Sequence, residues 1–163
     1  MKTLLIVYHS RTGGAAQMAR AAARGAAAEA ALRTRLLPAA QARGEDVLAA
    51  QAYIFAAPEN LGALSGAMKE FFDRAYYAAL GRIEGRRYAS LICAGTDGAN
   101  AARQIERITT GWRLRPVAEP LIICTGAQTP EAIWAEKTLP QAALAQCAEL
   151  GVAMAAGLAA GIF

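Results

Sequence analysis

The side chains best placed to do chemistry sit at the start of the chain, where Ser10, Arg11 and Thr12 are followed by Gly13 and Gly14. Two hydroxyls, a guanidinium and two glycines within five residues suit the capture of an anion. Thr3 to Tyr8, just before them, is an unbroken apolar run rich in β-branched and aromatic types, short enough for a strand. The chain turns helical at about Ala15. A strand feeding a loop at a helix N-terminus leaves backbone N–H donors unpaired and a partial positive charge exposed, and a phosphate is the natural guest. The alternative is a strand-to-helix turn whose glycines serve geometry only.

Other reactive groups are sparse. Cys93, Cys124 and Cys147 are odd in number and far apart, and His9 is the only histidine, so neither a disulfide framework nor a metal site is expected. A reducing cytoplasm fits this usage. The net charge of +4, carried by scattered arginines, suits small anionic ligands and argues against a nucleic-acid track.

Positioning elements follow in alternation. With 163 residues and 55% hydrophobic content the chain is read as one domain over 1–163, a single sheet covered on both faces. Helix is expected over Ala15–Ala31, a second strand over Arg33–Leu37, a helical turn near Glu45–Ala50, and a third strand over Ala52–Ala57 ended by Pro58. Ser65 opens a helix to about Leu80, with Lys69–Asp73 and Glu70–Arg74 pairs on its wet side. Tyr88–Ala94 is the fourth strand, Ala99–Thr110 a helix stopped by Gly111, Leu121–Thr125 the fifth strand, and a long helix runs from Pro140 to the end.

The segment after Lys2 is too short for a signal peptide and lacks a cleavage pattern. Gly151 to Phe163 is free of charge, but its 13 residues fall short of the roughly 20 that cross a bilayer. No membrane association is expected. Met154, Leu158, Ile162 and Phe163 make that end apolar enough to predict a homo-oligomer, dimer or tetramer.

Alternating strands and helices predict a doubly wound parallel sheet with right-handed crossovers, and the chain length favours five strands in the order 2-1-3-4-5. A ligand belongs in the crevice at the carboxyl ends of strands 1 and 3, flanked by the loop after strand 4. Three loops therefore converge: 9–14, 58–66 and 94–98.

These residues carry a resemblance. I-V-Y-H-S-R-T-G-G-A at 6–15 is similar to the phosphate loop of the flavodoxin superfamily, and P-E-N-L-G-A-L-S-G-A-M-K-E-F-F-D-R at 58–74 resembles the flavin-ring loop and following helix of its small NAD(P)H-dependent FMN and quinone reductases. The resemblance implies a flavodoxin-like α/β fold in which Ser10, Arg11, Thr12, Gly13, Gly14 and Ala15 hold the phosphate of FMN. It further implies that Pro58, Glu59, Asn60, Leu61 and Gly62 border the isoalloxazine and that Gly95, Thr96, Asp97 and Gly98 close its other side. Ala15 stands where relatives offer a third hydroxyl or amide, so Ala15→Thr is expected to tighten FMN, and Asn60 and Leu61 stand where many place an aromatic ring. The implied activity is electron transfer from NAD(P)H, the co-substrate, through FMN to a quinone, a flavin or a similar small acceptor, with no catalytic side-chain acid or base. Amides of Gly95, Thr96 and Gly98 would stabilise the reduced, anionic cofactor.

Two other readings stay open: an electron-carrier flavodoxin, against which the positive charge argues because such carriers dock through acidic surfaces, and a flavin-free module that keeps the fold. Single residues also carry alternatives. His9 is a ligand contact or a packing residue, Asp97 a flavin contact or a helix cap, and Glu59 a site residue or a solvated one. Arg82, Arg86 and Arg87 grip an NADP 2′-phosphate or form a solvated rim. Cys93 and Cys124 are expected to be inert core residues.

Overall fold

Alternation inside the first strand decides how the layers fill. In the computed structural model, which describes residues 1–163, strand β1 (Lys2–Tyr8) sends Leu4 and Ile6 to one face and Leu5 and Val7 to the other, all four fully buried. A strand buried on both faces is the mark of the centre of a parallel sheet. Ile6 pairs in parallel with Leu36 of β2 (Leu32–Pro38) and with Ile54 of β3 (Ala52–Asn60). Beyond β3 lies β5 (Arg87–Ala94), whose far edge is shared by β6 (Arg115–Pro116) and β7 (Leu121–Cys124). The expected order 2-1-3-4-5 is present with its fifth strand broken in two. Pro116 and Pro120 flank the break, and neither can donate to a ladder.

Helices α1 (Gly14–Ala26) and α6 (Gln141–Ala159) cover one face; α3 (Gly66–Ala79) and α4 (Ala99–Gly111), with the short α2 (Gly44–Ala49), cover the other. Alanines make the first layer thin. Where α1 crosses α6, a Cβ on Gly25 would collide with the Ala148 carbonyl and one on Gly151 with that of Ala22, so the two backbones touch. The opposite layer is thick and aromatic: Tyr53, Phe55, Phe71, Phe72, Tyr88 and Trp112 interlock with ring centroids 4.9 to 6.4 Å apart.

Several boundaries differ from those expected. Alanine propensity predicts α1 to Ala31, but it stops at Ala26 because Leu32 must return to the sheet edge, and tertiary demand overrides propensity. Pro58 does not end β3. The strand runs on to Asn60 and folds back through Leu61 and Gly62 into β4 (Ala63–Leu64), an antiparallel hairpin that the sequence does not announce. Gly111 is the last residue of α4, and the chain reverses after it through Arg113 at φ 56°. Pro140 caps α6 instead of opening it, and a short helix α5 (Pro130–Trp134) precedes it unforeseen.

The last helix also corrects the membrane argument. Measured whole it has 19 residues and a mean hydropathy of 1.5, long and apolar enough to cross a bilayer. In the fold its Cys147, Gly151, Met154, Ala155 and Leu158 are buried against α1 and the sheet. Phe163 packs back over Gly157 and beneath the Arg87 guanidinium, which leaves Ile162 as the one large apolar side chain exposed at this end.

Candidate functional site

Between β1 and α1 the chain makes a tight loop around unpaired donors. Gly13, at φ 91°, is the N-cap of α1 and takes a left-handed conformation that favours glycine. Its N–H donates to Ser10 Oγ at 3.1 Å, which leaves the Ser10 hydroxyl hydrogen free to point outward. The amides of Ser10, Arg11, Thr12, Gly14, Ala15 and Ala16 donate to no group of the protein. Six convergent N–H groups at a helix N-terminus form an anion nest. Gly14 is required by close approach, because a Cβ there would strike Cys93 Sγ on β5.

Ala15 differs from its expected part. It is 1% exposed and packs into the core with Met18 and Leu4. A threonine there would place its hydroxyl against the sheet and not at the loop mouth, so the expected gain from Ala15→Thr is withdrawn; Ala15 offers its amide alone.

The hairpin of β3 and β4 forms the second wall. Leu61 and Gly62 take left-handed conformations at φ 52° and 67°, the two-residue turn that suits a twisted hairpin. Leucine is a poor choice for that position, and this one is fully exposed at 105%. Strain and exposure at one apolar tip point to a contact surface. The hairpin is tied to α4: Asn100 Nδ2 donates to the Gly62 carbonyl, and the Leu64 N–H donates to Gln104 Oε1 at 2.6 Å.

Glu59 completes that tie and corrects two expectations. Its carboxylate accepts from the N–H of Gly98 at 2.9 Å and of Ala101 at 3.3 Å, so a residue from β3 caps the N-terminus of α4. It is neither a solvated residue nor a free ligand for the flavin ring, and the Gly98 amide is not available to a cofactor. Gly98, at φ 87°, is wedged against Ile122 and Ala94. Asp97 accepts from the Ala99 N–H at 3.2 Å, so it acts as the cap residue of the two readings given for it. Gly95 and Thr96 keep amides that donate to no protein group.

Two clefts result. One, of about 360 Å³, lies between Thr12, the hairpin tip from Pro58 to Gly62, Gly95 and Thr96, with Cys93 at its base. The other, of about 640 Å³, lies on the opposite side of the first loop and takes in Ser10, Arg11, Thr12 and Gly13. Of the three expected loops, all therefore meet, and Thr12 lines both clefts.

Sequence reasoning missed the strap that crosses the site, α5 and the residues to Leu139. The Lys137 N–H donates to the Thr12 carbonyl at 2.7 Å, and the side-chain amide of Gln17 bridges the Lys137 carbonyl and the Leu139 N–H. Lys137 Nζ is held by carbonyls of Ala132, Ile133 and Ala135, capping α5. Trp134 stands 69% exposed with the Arg11 guanidinium 5.7 Å from its ring centroid. A lone tryptophan in a polar connecting segment was the available signal.

His9 packs at the edge of this site. Its Nδ1 lies 2.9 Å from Ser65 Oγ, joining the first loop to the start of α3, and its N–H donates to the Ala56 carbonyl. Burial, and next the Arg11 charge, hold its imidazole below the ordinary histidine range, so it is neutral at pH 7. Arg82, Arg86 and Arg87 are at the other end of the sheet. Arg86 is no solvated rim: it donates to the carbonyls of Val47, Leu48 and Ala50 and to the Tyr53 hydroxyl, locking the end of α2. None of the three reaches the clefts.

The cysteines separate by environment. Cys93 and Cys147 are buried; burial raises both thiols, with Lys137 partly opposing it at Cys93, and Cys147 is pushed up to about 11. Cys124 is exposed, against the expectation of a core residue. Iodoacetamide at neutral pH is expected to modify Cys124 alone in the folded protein and all three cysteines in denaturant, read by intact mass. A native protein that gains two or three adducts would contradict this assignment.

Similarity to known proteins follows the same outline. The chain is 36% identical over 98 residues to a flavodoxin of Aquifex aeolicus (strain VF5), a match covering 60% of this chain and 53% of that protein, so it spans about half the length of that curated relative. Its fold superposes on a flavodoxin from the domain Archaea with a TM-score of 0.79 at 17% identity, over 96% of this chain and 98% of the other. A WrbA-like flavodoxin from Agrobacterium tumefaciens gives 0.76 at 18% identity over 99% of each. The rubredoxin:oxygen oxidoreductase of Desulfovibrio gigas gives 0.77 at 14% identity, covering 99% of this chain and 37% of the other. These likenesses establish the flavodoxin-like fold. Residues 31–128 match the family described as NADPH-dependent FMN reductase, a stretch that takes in the hairpin and the third loop and begins after the anion nest. With more than half of its length matched, the chain belongs to the NADPH-dependent FMN reductase family.

Proposed function

We propose that the chain binds FMN and is an oxidoreductase that moves electrons from NAD(P)H to a quinone, a flavin or a similar small acceptor. The observation that carries this reading is the ring of six unpaired amides at the β1–α1 junction, set beside a cleft walled by an exposed apolar hairpin tip. The residues fit the cofactor. The amides of Ser10 to Thr12 and Gly14 to Ala16, with the hydroxyls of Ser10 and Thr12, offer a phosphate dianion more donors than it has lone-pair directions to fill. Arg11 reaches toward Trp134 and adds its charge at the rim. Leu61 and Pro58 present apolar surface to a flat ring, and the Gly95 and Thr96 amides offer donors to its polar edge.

Bound there, FMN would supply the redox chemistry, accepting an electron pair and a proton from a nicotinamide and returning them to the acceptor. The protein binds, orients and screens. Glu59, Asn100 and Gln104 fix the hairpin against α4, which sets the width of the ring cleft, and Lys137 with Gln17 fixes the strap over the loop. A cytoplasmic location and self-association belong to the same reading; what supports the latter is Tyr77, Leu80, Val152 and Ile162 at the surface, since Met154 and Leu158 are inside the core.

A second reading is favoured by the names of the Aquifex and archaeal relatives: an electron-carrier flavodoxin. The two are separated by reconstituting the purified protein with FMN and adding NADPH or NADH without oxygen. The proposal expects a yellow protein whose absorbance near 450 nm, the flavin band, bleaches within about a second to minutes and returns with a quinone. A yellow protein that neither nucleotide bleaches leaves the carrier, and a protein that takes up no FMN removes both.

A further inference from the structure

We infer that the larger cleft, beside the phosphate loop, receives the adenylate end of NADPH, with Arg11 and Arg20 gripping its 2′-phosphate and Trp134 stacking on its adenine. This rests on the reductase reading and assigns the part of it that selects the nucleotide.

The cleft of about 640 Å³ runs from the first loop along the flank of α1 to the strap. Its chemistry differs from that of the ring cleft. Where the latter offers amides and apolar surface, this one offers two guanidinium groups, a phenol and an indole: Arg11, Arg20, Tyr8 and Trp134. Arg20 lies one turn after Ala16 on α1, so both face the same cleft. Neither arginine has a carboxylate partner, since the four ion pairs of the protein use Arg35, Lys69, Arg74 and Arg113. Two unpaired guanidinium groups in one cleft match a phosphate monoester, which they can take by forked hydrogen bonds. An indole left 69% exposed beside them is a stacking platform for a base, and Arg11 already lies over its ring.

Glu136 is the one carboxylate of the lining. It excludes phosphate from its own edge and leaves an acceptor for a ribose hydroxyl. Thr12 lines both clefts, so an extended ligand held here passes over Thr12 into the ring cleft. No other basic cluster competes for the role, because Arg86 is held by backbone carbonyls and Arg87 stacks on Phe163 at the far end of the sheet.

The test uses 2′,5′-ADP as the probe and 5′-AMP as its control, titrated into the FMN-loaded protein and followed by calorimetry and tryptophan fluorescence. The expected result is binding of 2′,5′-ADP at least tenfold tighter than 5′-AMP, with quenching that Trp134→Phe removes. Arg20→Glu should abolish the preference and Arg20→Lys should keep part of it, while both retain FMN affinity. Equal affinities for the two probes overturn the assignment. So does displacement of 2′,5′-ADP by FMN in the flavin-free protein, which would give the cleft to the phosphate of FMN and leave the reductase reading standing. A protein that takes up no FMN yet prefers 2′,5′-ADP by the same factor would fail the reductase reading and keep the nucleotide site.

Discussion

Gly151→Ala is expected to destabilise the protein by about 2–3 kcal/mol, although alanine stabilises an ordinary helix interior by about 1 kcal/mol relative to glycine. The sign reverses because of what the methyl meets. Gly151 on α6 lies against the Ala22 carbonyl of α1, and Gly25 on α1 lies against the Ala148 carbonyl of α6. Neither obstacle is a flexible side-chain end. To admit a Cβ the two helices must separate, and α1 cannot move alone because its first turn is the anion nest. The same substitution should therefore weaken FMN binding from a site at the other end of the helix. Thermal melting should fall by roughly 5–10 °C, taking about 2–4 °C per kcal/mol for a chain of this size. Gly111→Ala is the control: it also lies in a helix, nothing stands within 4 Å of its added Cβ, and its expected effect is neutral or stabilising. If both substitutions behave alike, the close approach of α1 and α6 is not a determinant of stability.

Such reciprocity shows where sequence reading succeeds and where it stops. The order of strands and helices is legible because buried parallel strands appear as apolar runs and each is followed by a helix-forming segment; Thr3–Tyr8, Ala52–Ala57 and Tyr88–Ala94 all appear with their expected roles. Glycines at 25 and 151 look alike in sequence to those at 111 and 157, and only the crossing of two distant helices gives them different meanings. The site divides in the same way. Local geometry was legible: Ser10 to Gly14 form the loop that their types imply. Relations between loops were not. Ala15 faces the core because of the rotation of α1 on the sheet, and the strap with Trp134 and Lys137 is placed by a hydrogen bond to Thr12 from 125 residues further along the chain. Pro58, a strand terminator by type, is tolerated because the β3 edge there has already passed into a hairpin.

Glu59 is where that distinction has the largest measurable consequence in the site. By its position in the hairpin motif it belongs beside the flavin ring, and loss of a ring contact would be felt only with FMN bound. By its hydrogen bonds it belongs to α4, whose first-turn amides at Gly98 and Ala101 are buried and have no other acceptor. Glu59→Ala leaves both donors unsatisfied and removes a carboxylate from the positive end of a helix dipole, effects of about 1–3 kcal/mol and 0.3–1 kcal/mol in general. The FMN-free protein is thus expected to lose about 2–3 kcal/mol in chemical denaturation, with Glu59→Gln losing less because one oxygen still accepts while the amide nitrogen faces a donor. FMN affinity should fall further in Glu59→Ala, since the hairpin is released from α4 and the ring cleft loses a fixed wall. A flavin-free Glu59→Ala protein as stable as the parent would return Glu59 to the ring. Loss in the flavin-free state shows that the cleft is shaped before any ligand arrives, by a carboxylate that touches none of it.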